Sequence, residues 1–106
     1  MIGYSGGALL SGLVIEQNLK LPVKKWITIA GVLNHTKWTE DLNLPPLTDS
    51  VDLKALPNIS QLHLVGDKDT IVSYKLTESL VNKNNLIIVP NATHNQGFEA
   101  FYRKIY

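Results

Sequence analysis

The residues best suited to chemistry begin with a serine set between glycines near the start of the sequence. Ser5 lies in Gly3-Tyr4-Ser5-Gly6-Gly7, a Gly-x-Ser-x-Gly pattern. A serine hydroxyl is a weak nucleophile unless it is exposed, oriented and paired with a base. Flanking glycines permit a sharp turn from strand to helix and a close approach of substrate. The pattern therefore predicts Ser5 as a nucleophile and the Gly6 backbone N–H as an oxyanion donor.

Two later residues are of the types that such a nucleophile requires. Asp69 and His94 each come directly after a segment with the pattern of a buried strand. His94 would take the proton from Ser5 and return it to the leaving group, while Asp69 would orient the imidazole and stabilise its charged form. We favour Asp69 over Asp67 because the loop at the strand end must carry the carboxylate outward. Together the residues predict acyl transfer through a covalent intermediate.

Alternating strand and helix patterns indicate how these residues are positioned. Such an alternation predicts a parallel sheet with helices on its faces, and active groups gather at the carboxyl ends of its strands. Ser5 follows a strand remnant, and the polar, proline-containing segment 34–58 is predicted to be a loop or small cap that lines the acyl pocket. The predicted strands are 26–31, 61–66 and 86–90, and the predicted helices are 8–15, 73–81 and 97–106.

Composition narrows the class of protein. With 106 residues, 44% of them hydrophobic and 18% charged, the chain is one small globular domain over 1–106. The net charge of +1 is spread along the chain, so nucleic acid is not an expected partner. The spacing of His35, Glu40 and Asp41 fits no usual ligand set, so neither a metal nor a cofactor is expected. His63 alternates with apolar neighbours and is assigned to one face of a strand.

The apolar start of the chain raises the question of a membrane. Residues 1–15 form an apolar and small stretch that ends at Glu16. A membrane-spanning helix needs roughly 20 such residues, and the stretch lacks the basic start of a signal peptide. We therefore expect no membrane partner. A cytoplasmic location is favoured for this chain, although a longer form could be exported, and the absence of cysteine does not fix the compartment.

These motifs resemble the C-terminal half of an α/β-hydrolase. The resemblance rests on the Gly3–Gly7 motif, on Gly66-x-x-Asp69-x-x-Val72 and on His94, in the order Ser, Asp, His. Segments 29–38 and 46–50 add to it, because they are similar to an Asp/Asn-His-x-x-Trp stretch and a Pro-Leu-x-x-Ser stretch of a group of bacterial α/β-hydrolases. The resemblance also places the acid three residues after the glycine, at Asp69.

The resemblance implies a mostly parallel sheet of eight strands with the nucleophile after strand five. This chain would then be a partial α/β-hydrolase fold, with about three parallel strands (six to eight), flanking helices and the N-terminal strands missing. It implies Ser5, Asp69 and His94 as catalytic residues, Gly6 as oxyanion donor and a small-molecule acyl ester as substrate. The second oxyanion donor would come from a loop after strand three, so the chain alone is expected to be inactive.

A second function class stays open beside the hydrolase. The chain could be a non-catalytic interaction module, derived from a hydrolase, that self-associates through an open sheet edge. We expect the face of Ala8 to Ile15 and the edge of the Trp26 strand to be exposed, and exposed edges and apolar patches invite pairing with another chain.

Overall fold

The computed structural model describes residues 1–17, 23–45, 52–99 and 101. It shows an α/β arrangement in which four strands alternate with three helices and a short 3₁₀ turn. The elements are β1 (Ile2–Tyr4), α1 (Gly6–Gln17), β2 (Lys25–Ile29), α2 (His35–Asp41), β3 (Ser60–Gly66), α3 (Tyr74–Leu80), the 3₁₀ turn (Lys83–Asn85) and β4 (Leu86–Val89).

The four strands form one parallel sheet in the order β1-β2-β3-β4. Parallel neighbours need a crossover connection, and each connection here contains a helix. All four strands therefore end at the same edge of the sheet, and each candidate residue follows one of those ends. The predicted α/β class with a partial parallel sheet is confirmed, and β1 directly precedes Ser5.

The strand side chains alternate between two apolar layers. Ile27, Ile29 and Leu64 face one side, where Phe98 packs against them in the main core cluster. Trp26 faces the opposite side and packs with residues that include Ala8 and Leu33. Because both faces are covered, the central strands are almost wholly apolar or bear buried polar groups that have partners.

Small residues make the contact between α1 and the sheet. The buried residues of α1 are Ala8, Ser11 and Gly12. Ser11 accepts a hydrogen bond of 2.8 Å from the Trp26 indole N–H, and a Cβ on Gly12 would lie 3.1 Å from the same indole. The expected apolar stripe is thus only partly buried, since Leu10 remains 65% exposed. The short side chains let α1 approach the sheet closely, and larger side chains such as Leu10 face away from it.

Two details of the predicted layout differ in the structure, and a third falls largely outside the described residues. Segment 34–58 is not wholly irregular, because Asn34 caps the helix α2 by accepting a hydrogen bond from Lys37 N–H. The exposed edge belongs to β1 and not to the Trp26 strand, because β1 pairs with β2 along that side. Within the predicted terminal helix, Glu99 and Phe101 are helical, while 100 and 102–106 lie outside the described residues, as do 46–50.

His63 lies at the centre of the sheet and is completely buried. The Gln61 side-chain amide donates to the carbonyl oxygens of Pro57 and Ile59, so its oxygen faces His63 Nε2 at 2.9 Å and accepts the imidazole proton. Nδ1 is then the acceptor for the Thr28 hydroxyl at 2.7 Å. Burial lowers the pKa of His63 from 6.5 to about 4, so the imidazole is neutral. This histidine is a satisfied structural group, as its alternation with leucines indicated.

The buried neutral state of His63 predicts acid sensitivity. The unfolded chain binds a proton at His63 below about pH 6.5, whereas the folded chain binds it only near pH 4. The free energy of unfolding should therefore decrease as the pH is lowered from about 6.5 to about 4, by about 3 kcal/mol in total. Urea denaturation at pH 7 and pH 4 measures this, and His63→Gln should remove that part of the pH dependence. An unchanged dependence in His63→Gln would contradict the assignment.

Candidate active site

The backbone of Ser5 makes the sharp turn from β1 to α1. Its φ of 52° lies in the left-handed region, which a residue with a side chain seldom adopts. Hydrogen bonds hold it there: Ser5 N–H donates to the Ile29 carbonyl at 3.0 Å, and Ser5 C=O accepts from Ala8 and Val32 N–H. The strained turn lifts the hydroxyl above the end of the sheet, the geometry of a nucleophile elbow.

The three glycines of the motif differ in whether the structure leaves space for a side chain. A Cβ on Gly3 would lie 2.6 Å from both Gly7 O and Ser11 Oγ, so only glycine lets α1 pack this closely on β1. Gly6 and Gly7 face open space, with nothing within 4 Å of an added Cβ. Gly6 opens α1, where the first N–H groups of a helix have no partner within it. The approach to Ser5 is thus unobstructed on the side of the predicted oxyanion donor.

The carboxylate of Asp69 is held by three hydrogen bonds. Oδ1 accepts from the N–H groups of Ile71 and Val72, each at 2.8 Å. Oδ2 faces His94 Nδ1 at 2.9 Å. The Asp69 side chain is only 1% exposed. Both oxygens therefore have fixed partners, and Oδ2 is aimed at the imidazole.

His94 joins Asp69 to Ser5. Nδ1 lies 2.9 Å from Asp69 Oδ2 and Nε2 lies 2.9 Å from Ser5 Oγ. A carboxylate can only accept, so Nδ1 carries the proton and the neutral Nε2 accepts from the serine hydroxyl. The structure thus brings together Ser5, Asp69 and His94, which lie 25 to 89 residues apart in sequence, in an arrangement that can activate a hydroxyl.

Asp67 serves a different purpose from Asp69. Its Oδ1 accepts a hydrogen bond of 2.7 Å from Asn91 N–H, and Lys68 N–H donates to the Ala92 carbonyl. These bonds tie the loop after β3 to the loop after β4. They fix the position of the loop that carries Asp69 relative to the loop that carries His94.

Ala92 sits completely buried between two glycines. A Cβ on Gly97 would lie 2.7 Å from Ala92 Cα, and Gly97 has a φ of 102°. A Cβ on Gly66 would collide with the Ala92 carbonyl. The backbone from β4 to His94 is consequently closely packed, and this packing restricts the position of the His94 imidazole.

Tyr4 connects β1 directly to the loop that bears His94. Its hydroxyl lies 2.7 Å from the His94 carbonyl and 2.6 Å from Asn95 Oδ1. One hydroxyl proton serves one acceptor, so it donates to the carbonyl if the Asn95 amide is turned to donate in its place. The variable residue of the Gly-x-Ser-x-Gly motif thus holds the loop that bears His94. The sequence carried no signal for this contact.

A cavity of about 200 Å³ lies away from these three residues. Most of its apolar lining belongs to the cluster around Trp26, on the α1 side of the sheet. Segment 34–58 contributes to this cavity, and Ser5, Asp69 and His94 do not line it. The lining residues are Leu33, Asn34, Leu53, Lys54, Ala55, Leu56 and Leu80. The expectation that 34–58 lines an acyl pocket gains no support from this cavity.

Neither a metal cluster nor a membrane-spanning helix is found in the part of the chain that the structure describes. No three of its His, Asp and Glu side chains cluster closely enough to hold a metal ion. The His35 imidazole instead packs edge-on against Trp38, with 5.6 Å between the ring centroids. Among the helices over 1–17, 23–45 and 52–99, none has the length and apolar character to cross a bilayer.

Comparison with a protein-family model gives one broad match. The model is described as "Serine hydrolase (FSH1)" and matches residues 1–97. The match includes all three residues of the Ser5–His94–Asp69 arrangement. A comparison with curated protein sequences gave no match.

Two solved structures share the fold of this chain. One is an alpha-beta serine hydrolase homologue from Coxiella burnetii, at 18% identity and a TM-score of 0.63, over 98% of this chain and 43% of that one. The other is a YdeN-like hydrolase from Pectobacterium atrosepticum, at 18% identity and a TM-score of 0.66, over 98% of this chain and 55% of that one. This chain therefore spans about half the length of each structure and contains a part of their fold.

The close contact at Gly3 predicts opposite effects for two matched substitutions. Gly3→Ala places a methyl group against Gly7 O and Ser11 Oγ and should destabilise the fold by at least 1–3 kcal/mol, as overpacking does. Gly7→Ala adds the same group in open space on a helix and should be neutral or stabilising by up to about 1 kcal/mol. Urea denaturation of both variants measures the difference, and equal stabilities would refute the packing argument.

Proposed function

Because this chain belongs to the serine hydrolase (FSH1) family, we propose that it carries the nucleophile, base and acid of a serine hydrolase that cleaves an ester or related acyl bond. The observation that supports this is the pair of 2.9 Å contacts, from Ser5 Oγ to His94 Nε2 and from His94 Nδ1 to Asp69 Oδ2.

In the proposed reaction, Ser5 Oγ attacks the acyl carbonyl carbon while His94 Nε2 takes the hydroxyl proton. The imidazolium is stabilised by the Asp69 carboxylate, and it then gives the proton to the departing alcohol. An acyl ester on Ser5 remains. A water molecule, deprotonated by His94, attacks that ester and releases the carboxylic acid and the free serine.

The oxyanion that forms at each step needs donors. We propose the Gly6 N–H as one, because it directly follows the nucleophile at the start of a helix. The resemblance places the second donor on a loop after strand three of the family's sheet, and the partial fold described for this chain has no counterpart of that strand. Removing one such donor slows turnover by about 10²–10³. We accordingly propose that these residues alone turn over slowly or not at all.

A fluorophosphonate probe tests the nucleophile assignment in this chain or in a longer protein that contains it. The probe should label the wild-type chain at Ser5, detected by peptide mass. Ser5→Ala should abolish labelling, and His94→Gln and Asp69→Asn should slow it by about 10²–10⁴ because the base is lost or misdirected. Ser79→Ala, on exposed helix α3, is the matched control and should label normally. Hydrolysis of a p-nitrophenyl ester by Ser5→Ala at the wild-type rate would contradict the proposal.

A second function, a non-catalytic module that pairs with a second copy, is favoured by the surface around β1. In the described residues β1 is an edge strand. Met1 O and Ser5 N–H bond toward β2, so the backbone groups of Ile2 point toward the open edge. Ile2 is 39% exposed on one face of the sheet, and Leu10 and Val14 on α1 are exposed as well. An edge with apolar neighbours is a template for pairing.

The module proposal predicts a discrete dimer that depends on this edge. Light scattering after size exclusion should give a dimer for the wild-type chain, and Ile2→Lys should convert it to a monomer because an edge charge prevents pairing. Leu44→Lys is the control, since Leu44 is an exposed apolar residue outside β1. A monomer at every concentration, or a dimer that survives Ile2→Lys, would rule out pairing through β1.

A further inference from the structure

We propose that Trp38 is a positioning residue for the Asp69 carboxylate, an inference that rests on the proposed hydrolase function. The Trp38 indole N–H donates a 2.9 Å hydrogen bond to the Ile71 carbonyl. Ile71 in turn donates its N–H to Asp69 Oδ1 at 2.8 Å. One residue thus connects the indole on α2 to the acid that faces His94.

The outer part of the loop after β3 needs such an anchor because it is exposed, although Asp69 and Val72 are buried. Ile71 is 48% exposed, and Thr70 is exposed as well. Asp69 Oδ1 relies on just the two loop N–H groups of Ile71 and Val72, so a shift of Ile71 removes half of the donors that orient this oxygen. The carboxylate would then be free to rotate, and Oδ2 would lose its fixed direction toward His94.

Helix α2 is itself held firmly enough to serve as the anchor. Asp52 accepts hydrogen bonds from His35 N–H at 2.5 Å and from the Thr36 hydroxyl at 2.8 Å. Burial raises the pKa of Asp52, but the hydrogen bonds from Thr36 and from the His35 and Thr36 backbone outweigh it and leave the pKa below 3.8. The carboxylate is therefore charged at neutral pH and fixes the first turn of α2, on which a negative charge is favourable.

The orientation of the indole follows from the same helix. Trp38 lies one turn after the cap residue Asn34, and its ring packs edge-on against His35 at an interplanar angle of 71°. This accounts physically for the Asn-His-x-x-Trp stretch: the asparagine begins the helix, the histidine supports the ring, and the tryptophan reaches the loop that bears the acid.

The test removes only the indole donor. Trp38→Phe keeps an aromatic ring against His35, so the helix contact is retained. We expect the rate of fluorophosphonate labelling of Ser5, per folded molecule, to fall about 2- to 10-fold, as for the loss of one hydrogen bond. The labelling rate of Asp69→Asn, which lacks the carboxylate itself, gives the lower limit for the labelling rate of Trp38→Phe. Trp26→Phe is the matched control, because its indole donates to Ser11 and has no connection to Asp69.

A second measurement does not depend on activity. The His94 Nδ1–H proton, bonded to Asp69, should give a downfield proton resonance, assigned by its loss in His94→Gln. Trp38→Phe should broaden or shift this resonance while Trp26→Phe leaves it in place. If Ser5 of the wild-type chain does not label, the hydrolase proposal fails, but the resonance still tests Trp38. An unchanged resonance and labelling rate in folded Trp38→Phe would overturn the inference and leave a contact that serves stability alone.

Discussion

The pairing of β1 with β2 is the constraint on which the meeting of Ser5, His94 and Asp69 depends. β1 has only three residues, and the hydrogen bond from Ser5 N–H to the Ile29 carbonyl closes its pairing onto β2. A strand this short depends for its register on each of these few bonds and on the contacts of the Tyr4 hydroxyl. The same pairing holds Ser5 in its left-handed conformation, sets the point at which α1 begins and brings Gly3 under the helix. If β1 slipped by one residue, the serine hydroxyl would turn to the other side of the sheet.

The proposed catalytic arrangement is then assembled from three loops at one end of the sheet, each on a different strand. Hydrogen bonds fix each of its side chains. Asp69 accepts from loop N–H groups, and His94 lies between Asp69 and Ser5. Ser5 is held by the hydrogen bonds of its own backbone. The two functions proposed for this chain meet at β1. The strand has the proposed nucleophile at its end and, within the described residues, an unpaired edge along its length, so a partner that covered the edge would also restrict the turn at Ser5.

Much of this could be predicted from the sequence, for a definable reason. The strands after β1 are short apolar runs bounded by turn residues, and such local patterns indicate buried parallel strands. Ser5, Asp69 and His94 could be singled out because topology brings strand ends together. The packing of α1 could not be predicted in this way. Its apolar periodicity indicates that Leu10 is buried, whereas Ala8 and Gly12 make the contact with the sheet. Such small residues give no hydrophobic signal in the sequence. The contacts of Tyr4 and Trp38 join segments far apart in sequence and have no local pattern either.

The burial of Ala92 between Gly66 and Gly97 has a consequence for how such a site can diversify. A backbone with no space for one more methyl group cannot absorb an inserted residue, so the distance along the chain from β4 to His94 is effectively frozen. Variation in what the site accepts must then arise elsewhere, in stretches such as the one between β2 and β3, where lengthening the chain costs little. A mutational library aimed at new substrates would be wasted on the histidine loop and better placed there.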